Sequence, residues 1–305
     1  RALIQCIGLE GKKIQAYHIG FILAPCLNAS GKLDTAKRAL ALLRAKTERE
    51  ADMLAGDLKA LNESRRDMTD RVVDEAMAKV EQTDIREDKV LVIYLPDCHE
   101  SLAGLVAGRV RENYYRPVFV LTDSEDGVKG SGRSIESYSM YEELTGCGDL
   151  LTKFGGHPMA AGLSLDKENV EKFKRRLNDQ CTLSEEELTE KVVIDMELPF
   201  TAITEHFIEE LECLEPFGKG NAKPVFAARG VIMQHVKIIG KNKNVAKATA
   251  IDAAGNRMEA ICFHDAQEFA KQCERNNGKM SITFYPGINE FRGERQIQIV
   301  ITHYR

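Results

Sequence analysis

Between Leu40 and Val80 the apolar residues recur at helical spacing. Leu40, Leu43, Ala51, Leu54, Leu58, Leu61, Met68, Val72, Ala76 and Val80 fall mostly three, four or seven apart, which marks one apolar stripe on a helix. Thr47 followed by Glu50 reads as a capping box. The pattern therefore predicts a short helix ending near Lys46 and a long one over 48–82, on the order of 50 Å at about 1.5 Å per residue. Acidic and basic residues alternate on its other face and read as solvated. A long helix with a single apolar stripe predicts a connector, here residues 34–86. Before it, Leu3–Ile7 is apolar, 8–11 turns, and 13–19 alternates. Residues 1–33 are thus expected to form two short strands and a loop. That is too little to bury a core, so the segment reads as the remnant of a larger domain.

After the connector the pattern alternates between strand and helix. Val90–Leu95 reads as a buried strand, Ser101–Tyr115 as a helix, Pro117–Leu121 as a second strand, and Val128–Arg133 as a third after a turn at 123–127. Tyr141–Leu150 reads as helical. A glycine-rich loop follows, and Asp166 stands where it can cap a helix running to about Gln180. Strands alternating with helices predict an α/β unit, a sheet with helices packed on it. The acidic, polar run 182–190 marks a boundary. Beyond it, Val192–Met196 reads as a strand, Ala202–Leu214 as a helix and 216–221 as a loop. Short strands are then predicted at 225–228, 230–239, 246–252, 257–263, 279–285 and 296–302, with one helix over 265–273. Short strands with one inserted helix fit an OB-like barrel. The expected fold class is α/β plus all-β.

Composition narrows the function only a little. The 305 residues carry a formal net charge of −5, which counts mildly against a nucleic-acid binder, although a local basic groove suffices. The eight cysteines include no Cys-x-x-Cys pair. This disfavours a zinc knuckle and points to reduced, buried thiols in a cytoplasmic protein. No apolar run approaches the roughly 20 residues that span a bilayer, and no segment reads as a signal peptide.

The chemistry concentrates in glycine-rich stretches. Phe154-Gly155-Gly156-His157-Pro158-Met159-Ala160-Ala161-Gly162 removes side chains where something must approach the backbone. It then supplies a histidine that can donate to a phosphate oxygen or move a proton. By itself a Gly-Gly-His run reads sooner as a turn with a surface histidine, and the neighbouring stretches reverse that preference. Lys129-Gly130-Ser131-Gly132-Arg133-Ser134 adds hydroxyls and a guanidinium suited to a phosphate. Pro25-Cys26-Leu27-Asn28-Ala29-Ser30-Gly31-Lys32-Leu33 is a third such stretch. With His99–Arg109 between them, the stretches stand in an order and spacing that resemble the RecJ family of bacterial single-stranded-DNA-specific exonucleases. The corresponding family patterns are PxxNAxGRL, WHxGxxGxVAxR, SxRS and GGHxxAAG, and the resemblance covers nearly the whole chain.

The resemblance implies four parts: a remnant of the metal-binding (DHH) domain over 1–33, connector helices over 34–86, a DHHA1-like substrate-binding domain over 87–182, and an OB-like nucleic-acid-binding domain over 190–305. It implies a 5′-to-3′ exonuclease that hydrolyses phosphodiesters with manganese or magnesium. Neither an Asp-His-His motif nor an Asp-x-Asp-Gly motif occurs here. The chain is therefore expected to be a fragment that supplies single-strand binding, holds no metal and is inactive alone. The implied catalytic residue is His157, with Gly155 and Gly156 beside it. Ser131, Arg133 and Ser134 are implied phosphate contacts near the 5′ end, and Arg109 another, with an internal salt bridge as its alternative. Asn28 and Lys32 are implied anchors, weakened because the family has arginine where Lys32 stands. His99 follows Cys98 instead of tryptophan, and Ser101 replaces a glycine, so His99 reads as structural.

In the barrel, Lys237, Lys241, Lys243 and Lys247 gather at one turn, and Tyr285, Phe291, Arg292 and Arg295 at another. Cations beside stacking aromatics suit a single-strand groove, while a lysine-rich loop is also an ordinary solvated one. The expected partners are single-stranded DNA and, among proteins, a single-strand-binding protein or helicase. Two other functions compete: a phosphodiesterase of the same superfamily acting on oligonucleotides or cyclic dinucleotides, and a non-catalytic single-strand-binding module.

Overall fold

The computed structural model describes residues 1–305 except Asp34, Lys219, Lys241, His264 and Arg292, and of Phe291 the backbone alone. The expected contributions of Lys241 and Arg292 therefore lie outside the described residues. The chain divides into two units, Arg1–Glu190 and Lys191–Arg305.

The first 33 residues are helical and not the two strands expected. Helix α1 (Ala2–Cys6) is followed by a π-helical turn, His18–Leu23, and by α2 (Ala24–Leu33). Gly8, at φ +75°, ends α1. Its N–H donates to Gln5 O at 3.0 Å, and Leu9 N–H to Ile4 O at 2.9 Å, the two bonds of a Schellman cap. The glycine that reads as a turn between strands is a helix stop.

Helix α3 (Lys37–Arg44) and the 35-residue α4 (Glu48–Gln82) follow the predicted pattern. Thr47 Oγ1 accepts from Glu50 N at 3.2 Å, which caps α4. This helix packs along most of its length. Its first half lies on α1 and α2, where Ala55 joins Leu3 and Cys26. Its second half contributes Ala76 and Val80 to a core shared with the sheet.

That sheet has the order β1-β2-β3-β5-β4, from β1 (Leu91–Tyr94), β2 (Val118–Ser124), β3 (Gly127–Arg133), β4 (Leu151–His157) and β5 (Ala160–Leu165). The β1–β2 pair is parallel, joined through α5 (Glu100–Tyr114), and the other pairs are antiparallel. Alternation along each strand separates two cores. Leu91, Ile93, Val118 and Val120 face α4 and α5. Val92, Phe119, Leu121, Leu163 and Leu165 face α6 (Met140–Gly146) and α7 (Val170–Gln180), which supply Leu144, Phe173 and Leu177. The expected Gly-Gly-His loop is a correction: it is the end of strand β4, paired with β5 across Pro158 and Met159. Asp166 makes no side-chain cap either; a 3-10 turn, Lys167–Asn169, leads into α7.

The second unit is a five-stranded closed barrel. Its strands are β7 (Phe226–Ile239), β8 (Val245–Ile251), β9 (Arg257–Cys262), β10 (Lys279–Phe291) and β11 (Glu294–Tyr304). They follow the order β10-β11-β9-β8-β7, and β10 also pairs with β7, which closes the ring. The expected strand at 192–196 is only β6 (Met196–Glu197), beside β7. The strands expected at 225–228 and 230–239 are one. Period-two alternation is plain on β8, where Ala246, Ala248 and Ala250 point inward between Lys247 and Thr249. Helix α8 (Glu205–Glu212) is capped by Thr204. Helix α9 (Ala266–Arg275), between β9 and β10, is capped by Asp265 and buries Phe269 in the core.

Candidate nucleic-acid interface

Strand register assembles the candidate residues on one face of the first unit. Across β3, β5 and β4, Lys129 pairs with Ser164 and Ser164 with Lys153; Ser131 with Gly162 and Gly162 with Gly155; Arg133 with Ala160 and Ala160 with His157. Residues two apart share a face, so these are three parallel rows, about 6.6 Å from one to the next. The face carries basic side chains in both end rows, with Ser164 in one of them, and its middle row has only the Ser131 side chain beside two glycines.

The glycines divide by what a side chain would meet. On the core side, a Cβ at Gly130 would lie 2.4 Å from Leu121, at Gly132 2.6 Å from Met140 Sδ, and at Gly156 2.4 Å from Ala160 O. Packing requires those three. A Cβ on Gly155 would meet nothing within 4 Å, and one on Gly162 only Gly130 O at 3.9 Å. No close contact of a Cβ accounts for glycine at either position, and the two leave the floor of the face bare. Above them lies a cavity of about 480 Å³, walled by Glu100 and Ser101 of α5, Lys129, Ser131, Lys153 and Ser164. Lys129 Nζ sits 2.7 Å from Glu100 Oε2, and this pairing holds the Glu100 carboxyl below the usual range.

Gly104 of α5 connects this face to a second cleft. A Cβ there would lie 2.8 Å from Arg133 Nη2 and 2.9 Å from Ser131 Oγ, so the missing side chain lets both groups pass the helix. The cleft, about 310 Å³, lies between α4 and α5 and gathers Arg65, Arg66, Arg109, Arg111 and Arg133 against two carboxylates, Asp70 and Glu112. Arg65 Nη2 donates to Asn62 Oδ1 at 2.9 Å, Arg133 Nη1 to Gly132 O at 2.7 Å, and Arg111 stands 3.2 Å from Glu112. Burial, then the neighbouring Arg111, lowers the pKa of Arg133. Burial, then Arg66, does the same to Arg65. Guanidinium groups nevertheless stay protonated, so the cleft keeps an excess of positive charge that an anion would neutralise. This local concentration outweighs the overall charge of −5.

The expected site residues fare unequally. His157 is exposed at the end of β4. Arg133 and Arg109 line the arginine cleft, and Ser131 the sheet-face cavity. Ser134 is a correction: it is buried and donates from Oγ to Tyr138 O at 2.6 Å, which fixes the turn after β3 and leaves no hydroxyl for a ligand. Gly156 has a packing reason of its own, since a Cβ there would lie 2.4 Å from Ala160 O. Asn28 and Lys32, on α2, line neither cavity. His99 caps α5 through Nδ1, which accepts from Ser101 N at 3.3 Å, as its structural reading anticipates.

In the second unit Lys243 is exposed at φ +52° between β7 and β8. Lys237 pairs in register with Lys247, which is held 2.7 Å from Glu259. Arg295 is engaged by Glu205 and Glu290. Tyr285 packs against Phe217 and Phe226, with Lys223 Nζ 3.7 Å from its ring centre. The sequence reading missed Lys223, Phe217, Arg65, Arg66, Arg111, Lys153 and Ser164. For Lys153 a signal exists: it shares the parity of Gly155 and His157. Among the described residues no group of three or more His, Cys, Asp or Glu side chains is placed to hold a metal ion, so no step through a metal is derived from this chain.

Residues 87–183 match the family described as DHHA1 domain and residues 194–303 the family described as RecJ OB domain. The single-stranded-DNA-specific exonuclease RecJ of Bacillus subtilis is 34% identical over 305 residues, covering 99% of this chain and 38% of the relative. RecJ from Thermus thermophilus in complex with Mn²⁺ superposes with a TM-score of 0.81 at 25% identity, over 99% of this chain and 43% of that one. The Mg²⁺ complex from the same organism gives 0.80 at 24% identity, over 99% of this chain and 45% of that one, and shares the fold. The chain spans less than half the length of each of these three.

Proposed function

The chain belongs to the RecJ family of single-stranded-DNA-specific exonucleases, and we propose that it forms the strand-holding part of such an enzyme. The observation that carries this reading is the pairing of a glycine-floored sheet face with a five-arginine cleft beside Gly104, where Ser131 lines the one and Arg133 the other. The arginine cleft takes a phosphate at the 5′ end of the strand. Planar guanidiniums match phosphate oxygens with paired hydrogen bonds, and anchoring that end gives 5′-to-3′ degradation. His157, at the end of the adjoining face, donates to the phosphate that reacts. The barrel supplies a further single-strand contact. The divalent metal of this reading is magnesium or manganese, the ions in the two complexes of the Thermus thermophilus RecJ. Such a metal would supply Lewis-acid chemistry at the reacting phosphate, while the residues of this chain hold and orient the strand. The eight cysteines are free thiols, in keeping with a reducing compartment such as the cytoplasm. The barrel and α4 favour a long strand over a dinucleotide as substrate.

This 305-residue chain alone is expected not to degrade a labelled single strand when given manganese or magnesium. Metal-dependent loss of the label, abolished by a chelator, contradicts the assignment of the metal chemistry elsewhere.

Binding of an oligothymidylate is expected to weaken steeply with salt, because each neutralised phosphate of a single strand contributes roughly 0.7 to the log–log slope. Replacing both Lys237 and Lys243 by glutamate lowers that slope if the β7–β8 turn contacts the strand. An unchanged slope moves the contact to another part of the barrel.

A further inference from the structure

We propose that the Lys129–Ser164–Lys153 row is a second phosphate subsite for the same strand, two rows from the one that holds Arg133 and His157. It rests on the reading of this face as a single-strand site and extends it to residues that reading does not use. Three observations carry it. Lys153 and Lys129 stand on the outer strands of one row, with Ser164 between them, and all three line the 480 Å³ cavity. The floor between this row and the His157 row is Gly155 and Gly162, bare for no reason of packing. Lys153, exposed and without a partner among the described residues, leaves a positive charge at the rim. The rows advance by about 6.6 Å, close to the repeat of an extended sugar–phosphate backbone, so a strand lying along β4 brings successive phosphates past successive rows.

Glu100 gives the subsite a distinctive property. Its carboxylate holds Lys129 at 2.7 Å and stands on the cavity wall, where it repels an incoming phosphate. Binding must exchange the Lys129–Glu100 pair for a Lys129–phosphate pair. Glu100 therefore weakens the subsite, and removing its charge tightens it.

The test is the affinity of the 305-residue chain for a labelled oligothymidylate across a salt series, by fluorescence anisotropy, with Tm measured for every variant. Lys153→Gln and Lys129→Gln are each expected to weaken binding and lower the log–log salt slope by about 0.7, and Glu100→Gln to tighten binding, all at unchanged Tm. Gly155→Val, which meets no protein atom at its Cβ, is expected to weaken binding by filling the floor. If Arg133→Gln weakens binding while the lysine variants and Glu100→Gln match the parent, the subsite is overturned and the wider reading stands. If neither Arg133→Gln nor the lysine variants change binding, or the parent chain does not bind, both are overturned. Loss with the lysine variants but not with Arg133→Gln supports the subsite and removes the arginine cleft from the strand's path.

Discussion

Replacing His157 by alanine in a complete enzyme that contains this chain is expected to lower turnover by about 10²–10³-fold without lowering Tm. The size follows from electrostatics: removing one donor aimed at charge that develops in the transition state costs roughly that factor. The unchanged Tm follows from the structure. His157 is exposed at the end of β4, and its side chain has no hydrogen-bond partner among the described residues, so its loss breaks no contact that holds the fold. Steady-state cleavage of a labelled single strand, measured beside thermal unfolding, checks both parts. Near-normal turnover would make His157 a surface residue at a hairpin end and remove the reacting phosphate from this face.

The second large effect falls on stability. Gly156→Ala is expected to destabilise the first unit by about 2–4 kcal/mol, the lower part of the range to which overpacking of about 1–3 kcal/mol and a comparable backbone strain sum. The added Cβ would lie 2.4 Å from Ala160 O and 2.5 Å from Ala161 Cα, at a φ of +155°. For a unit of this size the loss corresponds to a Tm drop of roughly 5–15 °C. Gly155→Ala, one residue earlier, is expected to leave Tm unchanged, because its Cβ meets nothing. Adjacent glycines with opposite phenotypes separate a glycine kept for packing from one kept for a ligand. Equal Tm losses in the two variants would show that the open floor at Gly155 is a matter of folding.

These contrasts show where the sequence was readable. Helix α4 was legible because its stripe is long and Thr47 with Glu50 marks its start, both local signals. The strand predicted at 246–252 was legible as well, and is β8. The first 33 residues were misread because Gly8, at positive φ, serves a helix end as well as a strand turn, and the choice depends on α4 covering α1. The Gly-Gly-His stretch read as a loop because two glycines signal a turn when their neighbour is unknown. Only the pairing with β5 reveals that Lys153, Gly155 and His157 share a face. The arginine cleft was not legible at all. Arg65 and Arg66 look like part of a solvated helix face until α5 and β3 bring Arg109, Arg111 and Arg133 beside them. Ser134 belongs to a matching motif yet turns inward, because a motif fixes residue types and not the direction of each side chain.

The central claim is that a single strand lies across the β3–β5–β4 face and the arginine cleft. Photo-crosslinking a 5′-phosphorylated oligothymidylate to this chain, followed by peptide mass spectrometry, tests it most directly. The account predicts adducts within 129–133 and 153–157 and on the helix segments carrying Arg65, Arg66 and Arg109, all suppressed by unlabelled single strand. Adducts confined to residues 191–305, with none on the sheet face or the arginine cleft, would contradict it.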